Sequence, residues 1–514
     1  MFRSRLLRDT VILTVMQLFL DTAALLLNVF ITKQLGTSAV GILSLMGSFL
    51  GLAGILSNGN AFLCTSRLIS EELGKPCGNA NRVLLYGVRL CLILSMAVSA
   101  ALLLLAEPIS RRFFSGAEMT AALRIMPVAL VTGALSACLK GYFNADRRAA
   151  VSAAGDIAEF ITRCVFIVAV TLAVGRVSEN AVCRIMIGGV IAGNTVSLLL
   201  LSASYIRYRR PAKSVCSLTF RRYAALSFPI MGGSILTAVL SSTNDALIPV
   251  CLRQYGDSAG EALGMFGIFE GIVLPALFFP SVVFCSVSGI IVSETARASA
   301  AGNRQRIKSL TERLKAWTLM FSVFAAAVMM RFGGDIGRLL GGGELAGRII
   351  TVIAPVIPFI YMEIVLEALI KGLGLQSFSS FNYLAEYIIR IASVLILVPR
   401  VGFYGIVFSY YASNIIGNCS RFIRVTRASG AEKALGGTLL LPVLLAVSTM
   451  SVIEIAYRII GLTAEKVPSM IVFAVLWGAV YFGSYSVLGK VKLISKSGEE
   501  LFGDSAQQTV DRVL

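Results

Sequence analysis

Apolar residues run along this chain in long blocks separated by short polar segments. Within LCLILSMAVSAALLLLA (90–106) there is no charge and none of the two-residue alternation of a membrane barrel strand. Fourteen such blocks are legible, over residues 9–32, 39–66, 83–106, 121–141, 151–174, 182–206, 223–251, 262–292, 316–331, 348–370, 380–398, 403–423, 437–458 and 468–488. Lipid offers the backbone no hydrogen-bond partner, so apolar blocks of about 20 residues predict helices that cross the hydrocarbon. The second and eighth blocks are long enough to bend or tilt. The expected fold is all-α and integral to the membrane, with about 14 transmembrane helices.

An even number of spans puts both ends on one side, and the Lys/Arg distribution identifies that side. With both ends cytoplasmic, 30 of the 46 basic residues fall in inner segments and 13 in outer ones, leaving Arg89, Arg163 and Arg390 within spans. The expected location is the cell membrane. The inner segments are also the longer ones. YIRYRRPAKSVCSLTFRR (205–222) lies at the midpoint of the first twelve spans and reads as a linker. ETARASAAGNRQRIKSLTERLKA (294–316) mixes charged and apolar positions as a helix lying on the membrane surface would. The basic start, MFRSRLLRDTVILTVMQLFL, is followed by no clear A-x-A site and reads as an uncleaved first span.

Composition narrows the classes further. Of 514 residues, 56% are hydrophobic and 14% charged, with mean hydropathy +0.81, where a soluble chain would carry about 25% charged residues. The net charge of +18 is dispersed over short loops, which argues against nucleic acid as a partner. Ten cysteines without a C-x-x-C pair read as reduced, buried, small apolar residues rather than a disulfide or zinc framework. The chain has no histidine, which excludes imidazole chemistry, and no G-x-x-x-x-G-K-[ST] phosphate loop. No cofactor and no metal are expected.

The chain also repeats itself. CLKGYFNADRRAAVSAAGDIAEFITR (138–163) is matched by LIKGLGLQSFSSFNYLAEYIIR (369–390), each with Lys-Gly closing one span and Glu-x-x-x-Arg inside the next. The two glutamates are 227 positions apart. KQLGTSAVGILSLM (33–46) echoes RQYGDSAGEALGMF (253–266) at an offset of 220. Repeats of this kind predict two pseudo-symmetric six-helix bundles in the same orientation. The expected layout is an N-terminal lobe over 1–206, a cytoplasmic linker over 207–222 and a C-terminal lobe over 223–424. Two additional transmembrane helices follow over 437–488, and a cytoplasmic tail over 489–514.

Fourteen spans, two lobes and these motifs resemble the multidrug/oligosaccharidyl-lipid/polysaccharide flippase superfamily. SNGNAFLCTSRLISEE (57–72), the Lys-Gly-Tyr-Phe stretch at 140–143 and the following EFITR resemble its stage V sporulation protein B branch of polysaccharide biosynthesis proteins. The resemblance implies a central cavity that opens alternately to each side. It also implies lipid-linked saccharides on undecaprenyl carriers as substrates, and a lipid groove formed by the last two spans. One departure stands out. Related flippases usually carry an arginine in the first span, where this chain has LFLDTAALLLNVF (18–30) with Asp21 and Asn28.

An ionised side chain at mid-bilayer costs about 2.5–3.5 kcal/mol on insertion scales, so each such residue must face protein, water or a partner. Glu159/Arg163 and Glu386/Arg390 have the i,i+4 spacing that puts both groups on one helix face. They read either as neutralised pairs that pin helices together or as guanidinium donors for a diphosphate. Arg67 and Arg89 are further substrate-binding candidates, with snorkelling to the headgroups as the bland alternative. Lys140 and Lys371 are topology anchors or guides for the incoming pyrophosphate. Glu363 and Glu367 share a face with Lys371 and belong with a polar stripe lining the cavity. Asp21, Asp245 and Glu270 are candidates for coupling to H+ or Na+, against a reading as neutral acids bonded to neighbouring spans. Prolines 229, 275, 280, 355 and 358 fall within spans and are expected to kink them.

The leading function is an alternating-access flippase that moves an undecaprenyl-diphosphate saccharide, of the lipid-linked oligosaccharide or peptidoglycan-precursor type, across the bacterial cytoplasmic membrane. The alternative is a cation-coupled multidrug and toxic compound exporter, supported by Asp21, Asp245 and Glu270. A polytopic lipid-sugar transferase is less supported, because the outer loops are short and carry few acids. A purely structural membrane scaffold ranks last, because it would not explain the repeat with its intramembrane charges. The chain is thus expected to be a transporter rather than an enzyme, to act as a monomer, and to have membrane lipids and the lipid-linked saccharide as its partners.

Overall fold

A computed structural model describes residues 2–73, 79–113, 119–146, 148–174, 179–209, 218–431, 435–460 and 467–510. Among these residues there are no strands, and the chain forms fourteen long helical segments. Twelve segments are long and apolar enough to cross a membrane. The other two, α15 (Gln376–Val401) and α16 (Phe403–Ser429), are continuous helices of 26 and 27 residues. Large apolar side chains stand on the outside, among them Leu104, Ile206 and Ile459, as lipid rather than water requires. The chain is a multi-pass membrane protein.

The helices group into two compact units, one of residues 1–287, 340–342 and 375–417 and the other of residues 288–339, 343–374 and 418–514. The first unit begins with α1 (Phe2–Leu35), α2 (Thr37–Asn58), α3 (Ala61–Leu73), α4 (Ala80–Phe113) and α5 (Thr120–Ala145). It continues with α6 (Ala149–Val174), α7 (Glu179–Tyr208), α8 (Phe220–Tyr255), α9 (Ala259–Ile268) and α10 (Leu274–Phe278). The echoed motifs, QLGTS and QYGDS, end α1 and α8 alike, with Gly36 at φ 87° and Gly256 at φ 126°. Both conformations favour glycine, because a Cβ would clash with the backbone. Ser258 then caps α9 in a reciprocal pair with Glu261: its hydroxyl accepts from the Glu261 amide at 3.3 Å, and its own amide donates to the Glu261 carboxylate at 3.0 Å. The two copies of the repeat pack together, α2 on α9. Gly41 and Gly267 sit so close to the opposing backbone that a Cβ on either would overlap it.

The long second block is broken rather than merely bent. α2 stops at Gly59 and Asn60, both at φ 56°, and α3 starts afresh at Ala61. The carbonyls freed at this break accept thiol hydrogen bonds, Asn58 from Cys91 at 3.5 Å and Gly59 from Cys64 at 3.7 Å. The eighth block contains a π-helical turn, Phe269–Val273, and a 3-10 turn, Phe279–Ser281, at Pro280. Pro229 lies within continuous α8.

The second unit holds most of α11 (Val282–Ala300), then α12 (Arg304–Leu339), α13 (Gly343–Ile353), α14 (Ile357–Gly372), α17 (Leu435–Ile460) and α18 (Val467–Val510). A 3-10 turn at Pro355 links α13 to α14. The segment expected to lie flat on the membrane instead turns at Gly302, φ 64°, and most of it forms the start of α12. Asn303 initiates that helix by accepting the Arg306 amide at 2.9 Å, and Arg306 reaches back to Glu294 at 2.6 Å. Aromatic side chains bind α17 and α18 to α12. The Phe324 ring stacks on Tyr481 at 5.2 Å, Trp477 donates to Thr449 at 3.0 Å, and Tyr481 donates to the Met320 carbonyl at 3.0 Å. Half of the expected linker, residues 210–217, lies outside the described residues.

Candidate functional site

The first unit contains a cavity of about 660 Å³ between α2, α5, α6 and α7. One face of α6 supplies Asp156, Glu159 and Arg163, spaced so that successive turns present them on the same side. The end of α5 adds Lys140, and the broken end of α2 adds Ser57 and Asn58. Irregular backbone is tolerated at membrane depth where it lines such a polar space. Close packing of α7 holds α6 in place, since a Cβ at Gly193 would press on the Glu159 carbonyl.

The four charges form a chain of contacts. Lys140 Nζ lies 2.6 Å from Asp156 Oδ1 and 2.8 Å from Glu159 Oε2, while Arg163 Nη2 lies 3.2 Å from Glu159 Oε1. Lys140 and Glu159 are the shielded inner members, and Asp156 and Arg163 the more accessible ends. Arg163 Nε is buried without a partner. Asp156 was not singled out in the sequence, although its spacing three residues before Glu159 was the available signal.

A second cluster in the same unit gathers Asp245, Glu270 and Arg390. Asp245 accepts from the Ser48 hydroxyl at 2.6 Å and from the Asn244 amide at 3.2 Å. Glu270 lies in the π-helical turn, and Asn28 of α1 donates to the Gly271 carbonyl of that turn at 2.9 Å. Arg390 on α15 is close enough to act electrostatically on both carboxylates. Its Nε donates to Ser413 at 3.1 Å, and its guanidinium lies 5.0 Å from the Tyr410 ring and 5.5 Å from Tyr387. The second Glu-x-x-x-Arg motif thus differs from the first. Among the described residues Arg390 turns to Ser413 and the two tyrosines rather than pairing with Glu386, which is buried at the point where a Cβ on Gly417 would overlap it. Arg390 is not among the residues lining the 660 Å³ cavity.

The second unit holds Glu363, Glu367 and Lys371 on α14, joined by Arg421 of α16. Arg421 is fully buried, 3.3 Å from Glu363 and 3.6 Å from Glu367, and Lys371 lies 3.5 Å from Glu367. Sequence reasoning missed Arg421 because it begins a basic run with Arg424 and Arg427 that counts toward topology. The same unit has an almost wholly apolar cavity of about 540 Å³, lined by α12, α14, α16 and α17, with Pro355, Phe359, Phe422 and Ala446 on its walls.

The remaining candidates stand apart. Arg67 is exposed on α3 and pairs with Glu71 at 3.0 Å. Arg89 is exposed on α4. Asp21 accepts from Gln17 at 2.9 Å within α1. No cluster of histidine, cysteine and acidic residues suited to a metal ion occurs among the described residues.

Comparison with known proteins adds four likenesses. The family model described as polysaccharide biosynthesis protein matches residues 6–289. Stage V sporulation protein B of Bacillus subtilis (strain 168) is 21% identical over 412 residues, which cover 78% of this chain and 79% of that protein. Among solved structures, lipid II flippase MurJ in an inward closed conformation superposes with TM-score 0.72 at 13% identity, covering 94% of this chain and all of that one. An inward-facing MATE family multidrug transporter of the MOP superfamily gives TM-score 0.63 at 15% identity, over 80% of this chain and 96% of that one.

Proposed function

The chain belongs to the polysaccharide biosynthesis protein family, and from that membership we propose that it is a flippase for a polyprenyl-diphosphate saccharide. Moving such a headgroup means carrying phosphate charge and many hydroxyls through hydrocarbon. The task requires a polar, hydrated interior with fixed donors, while the polyprenyl tail stays among apolar side chains. The observation that carries the reading is the 660 Å³ cavity, in which Lys140 and Arg163 stand among serine and asparagine side chains inside a bundle of membrane helices. The apolar cavity of the second unit suits the tail, and α17, one of the two additional helices, forms part of its wall.

In this reading Arg163 grips the diphosphate with the donors that Glu159 leaves free, since a guanidinium offers a fork of N–H groups to an anion. Lys140 guides the headgroup in. Arg390, beside Asp245 and Glu270, links anion binding to the charge state of those carboxylates, and proton or Na+ movement drives the cycle there. The two six-helix lobes, over 1–206 and 223–424, alternate around the substrate. The chain works as a monomer in the cytoplasmic membrane with both ends inside, as the excess of basic residues in the inner segments supports.

Purified protein in vesicles, scored for transbilayer movement of fluorescent undecaprenyl-diphosphate saccharides, tests the proposal. Arg163→Ala and Arg390→Ala are each expected to slow movement roughly tenfold or more, the effect of losing a charge-assisted hydrogen bond of about 1.5–3 kcal/mol. Movement at the unmodified rate in both variants rejects the assignment of these arginines. The carboxylate pair Asp245 and Glu270 favours a second reading, export of organic cations. Efflux of cationic dyes without any lipid movement selects that reading.

A further inference from the structure

The ionisable groups lining the 660 Å³ cavity sum to zero charge, with Lys140 and Arg163 balanced by Asp156 and Glu159. A neutral site gives a purely anionic headgroup no net electrostatic attraction. The inner two members are moreover committed to one another: Lys140 is held between two carboxylates, and Glu159 between two cations. What remains open to a ligand is one valence of each sign. At one end Asp156 Oδ1 meets Lys140, while Oδ2 has no protein partner among the described residues, and the side chain is 47% exposed. At the other end Arg163 engages Glu159 through Nη2 alone, and its side chain is 31% exposed, which leaves accessible N–H groups of the guanidinium for an anion. Asp156 and Arg163 are seven residues apart on one helix, a rise of about 10 Å.

Building on the flippase reading, we infer that this cavity selects headgroups that carry a free amine together with the phosphate, the amine seated on Asp156 and the anion on Arg163. The complement of a cavity with one acceptor end and one donor end is a zwitterion, and the separation of the two ends matches a short amino-saccharide whose nitrogen is remote from its phosphate. An N-acetylated or unsubstituted saccharide lacks the cationic end. It leaves the Asp156 carboxylate desolvated and unpaired on one side, which costs affinity. Fixed charge of the opposite sign thus rejects the near-isosteric competitor as well as attracting the preferred ligand.

The test is calorimetric binding to the full chain in detergent, using two soluble probes. Both are hexosamine disaccharide 1-phosphates, with the terminal nitrogen either free and protonated or N-acetylated. The unmodified protein is expected to bind the free-amine probe about tenfold more tightly, the value of one charge-assisted hydrogen bond. Asp156→Asn is expected to bring the two affinities together by weakening the free-amine probe alone, where a structural loss of the Lys140 contact would weaken both probes, and Asp156→Glu to restore the preference. Equal affinities in the unmodified protein, a preference that survives in Asp156→Asn, or no binding of either probe overturns the inference. A preserved binding preference in a protein that moves no lipid in vesicles counts against the flippase reading instead.

Discussion

A guanidinium with no exposed surface is the least forgiving residue in this molecule. Arg421 is fully buried between Glu363 and Glu367, so removing it takes a cation from the buried Glu367, which keeps Lys371, and from the partly exposed Glu363. Breaking a buried ion pair from one side costs about 3–5 kcal/mol, more than most single substitutions. Arg421→Met is therefore expected to lower the thermal unfolding midpoint in detergent sharply, and Arg421→Met combined with Glu363→Gln and Glu367→Gln to recover part of the loss. A midpoint unchanged in the single variant would show that the carboxylates find other partners. Legibility at this scale was uneven. The polar stripe of Glu363, Glu367 and Lys371 could be read from i,i+4 spacing alone. Its counter-charge could not, because Arg421 lies on another helix within a run of basic residues that also suits a loop. The same limit explains the two Glu-x-x-x-Arg motifs. Spacing places both groups on one face, but only tertiary neighbours decide that Arg163 meets Glu159 while Arg390 meets Ser413.

Among the helices, the contact between α2 and α9 sets the tolerance of the first unit. Without a strong hydrophobic drive between helices in lipid, association relies on close packing of small residues. Gly41 and Gly267 bring the two backbones together with no room for a Cβ. Gly267→Val must push α2 away from α9, and a destabilisation of about 1–3 kcal/mol is expected from such overpacking. Gly51→Ala on the same α2 meets nothing within 4 Å and is expected to be neutral or slightly stabilising, since alanine is the better helix former by up to about 1 kcal/mol. Thermal unfolding of the two variants side by side checks the contrast, and equal midpoints would refute it. The sequence already contained much of this arrangement. The echo of KQLGTSAVGILSLM in RQYGDSAGEALGMF marks two copies of one turn and helix, and those copies are the elements that pack together. It did not contain the break at Asn58–Gly59–Asn60, because an Asn-Gly-Asn run inside an apolar block is equally compatible with a bend. The carbonyls exposed there are satisfied by Cys91 and Cys64, which are remote in sequence or too weak as donors to signal it.

At the scale of the whole molecule, the apolar cavity of the second unit offers a test that the charged cavity of the first does not. The number of helices and their apolar character followed from block length and composition. The docking of α17 and α18 did not, because their outer surfaces are as apolar as their packed ones. Only Phe473, Trp477 and Tyr481, at four-residue spacing, hinted at the stripe that meets Phe324 and Phe332 on α12. That docking leaves the side of α17 that carries Leu439, Val443 and Ala446 to complete the 540 Å³ apolar cavity with α12, α14 and α16. If the cavity receives the polyprenyl tail, filling it must penalise long tails selectively, because a saccharide on a short prenyl chain needs little of that volume. Ala446→Trp adds an indole to a wall of this cavity, whose lining also includes Phe422 and Met362 but none of the charged residues of the first unit. Vesicle assays with the variant are expected to show movement of a full-length undecaprenyl-diphosphate saccharide reduced roughly tenfold, corresponding to about 1.4 kcal/mol of lost apolar contact. The same saccharide on a two-isoprene chain should move at the unmodified rate. A fall in both rates would signal general damage to the unit. Equal, undiminished rates would mean that the tail travels along the lipid-facing surface and the apolar cavity serves another purpose.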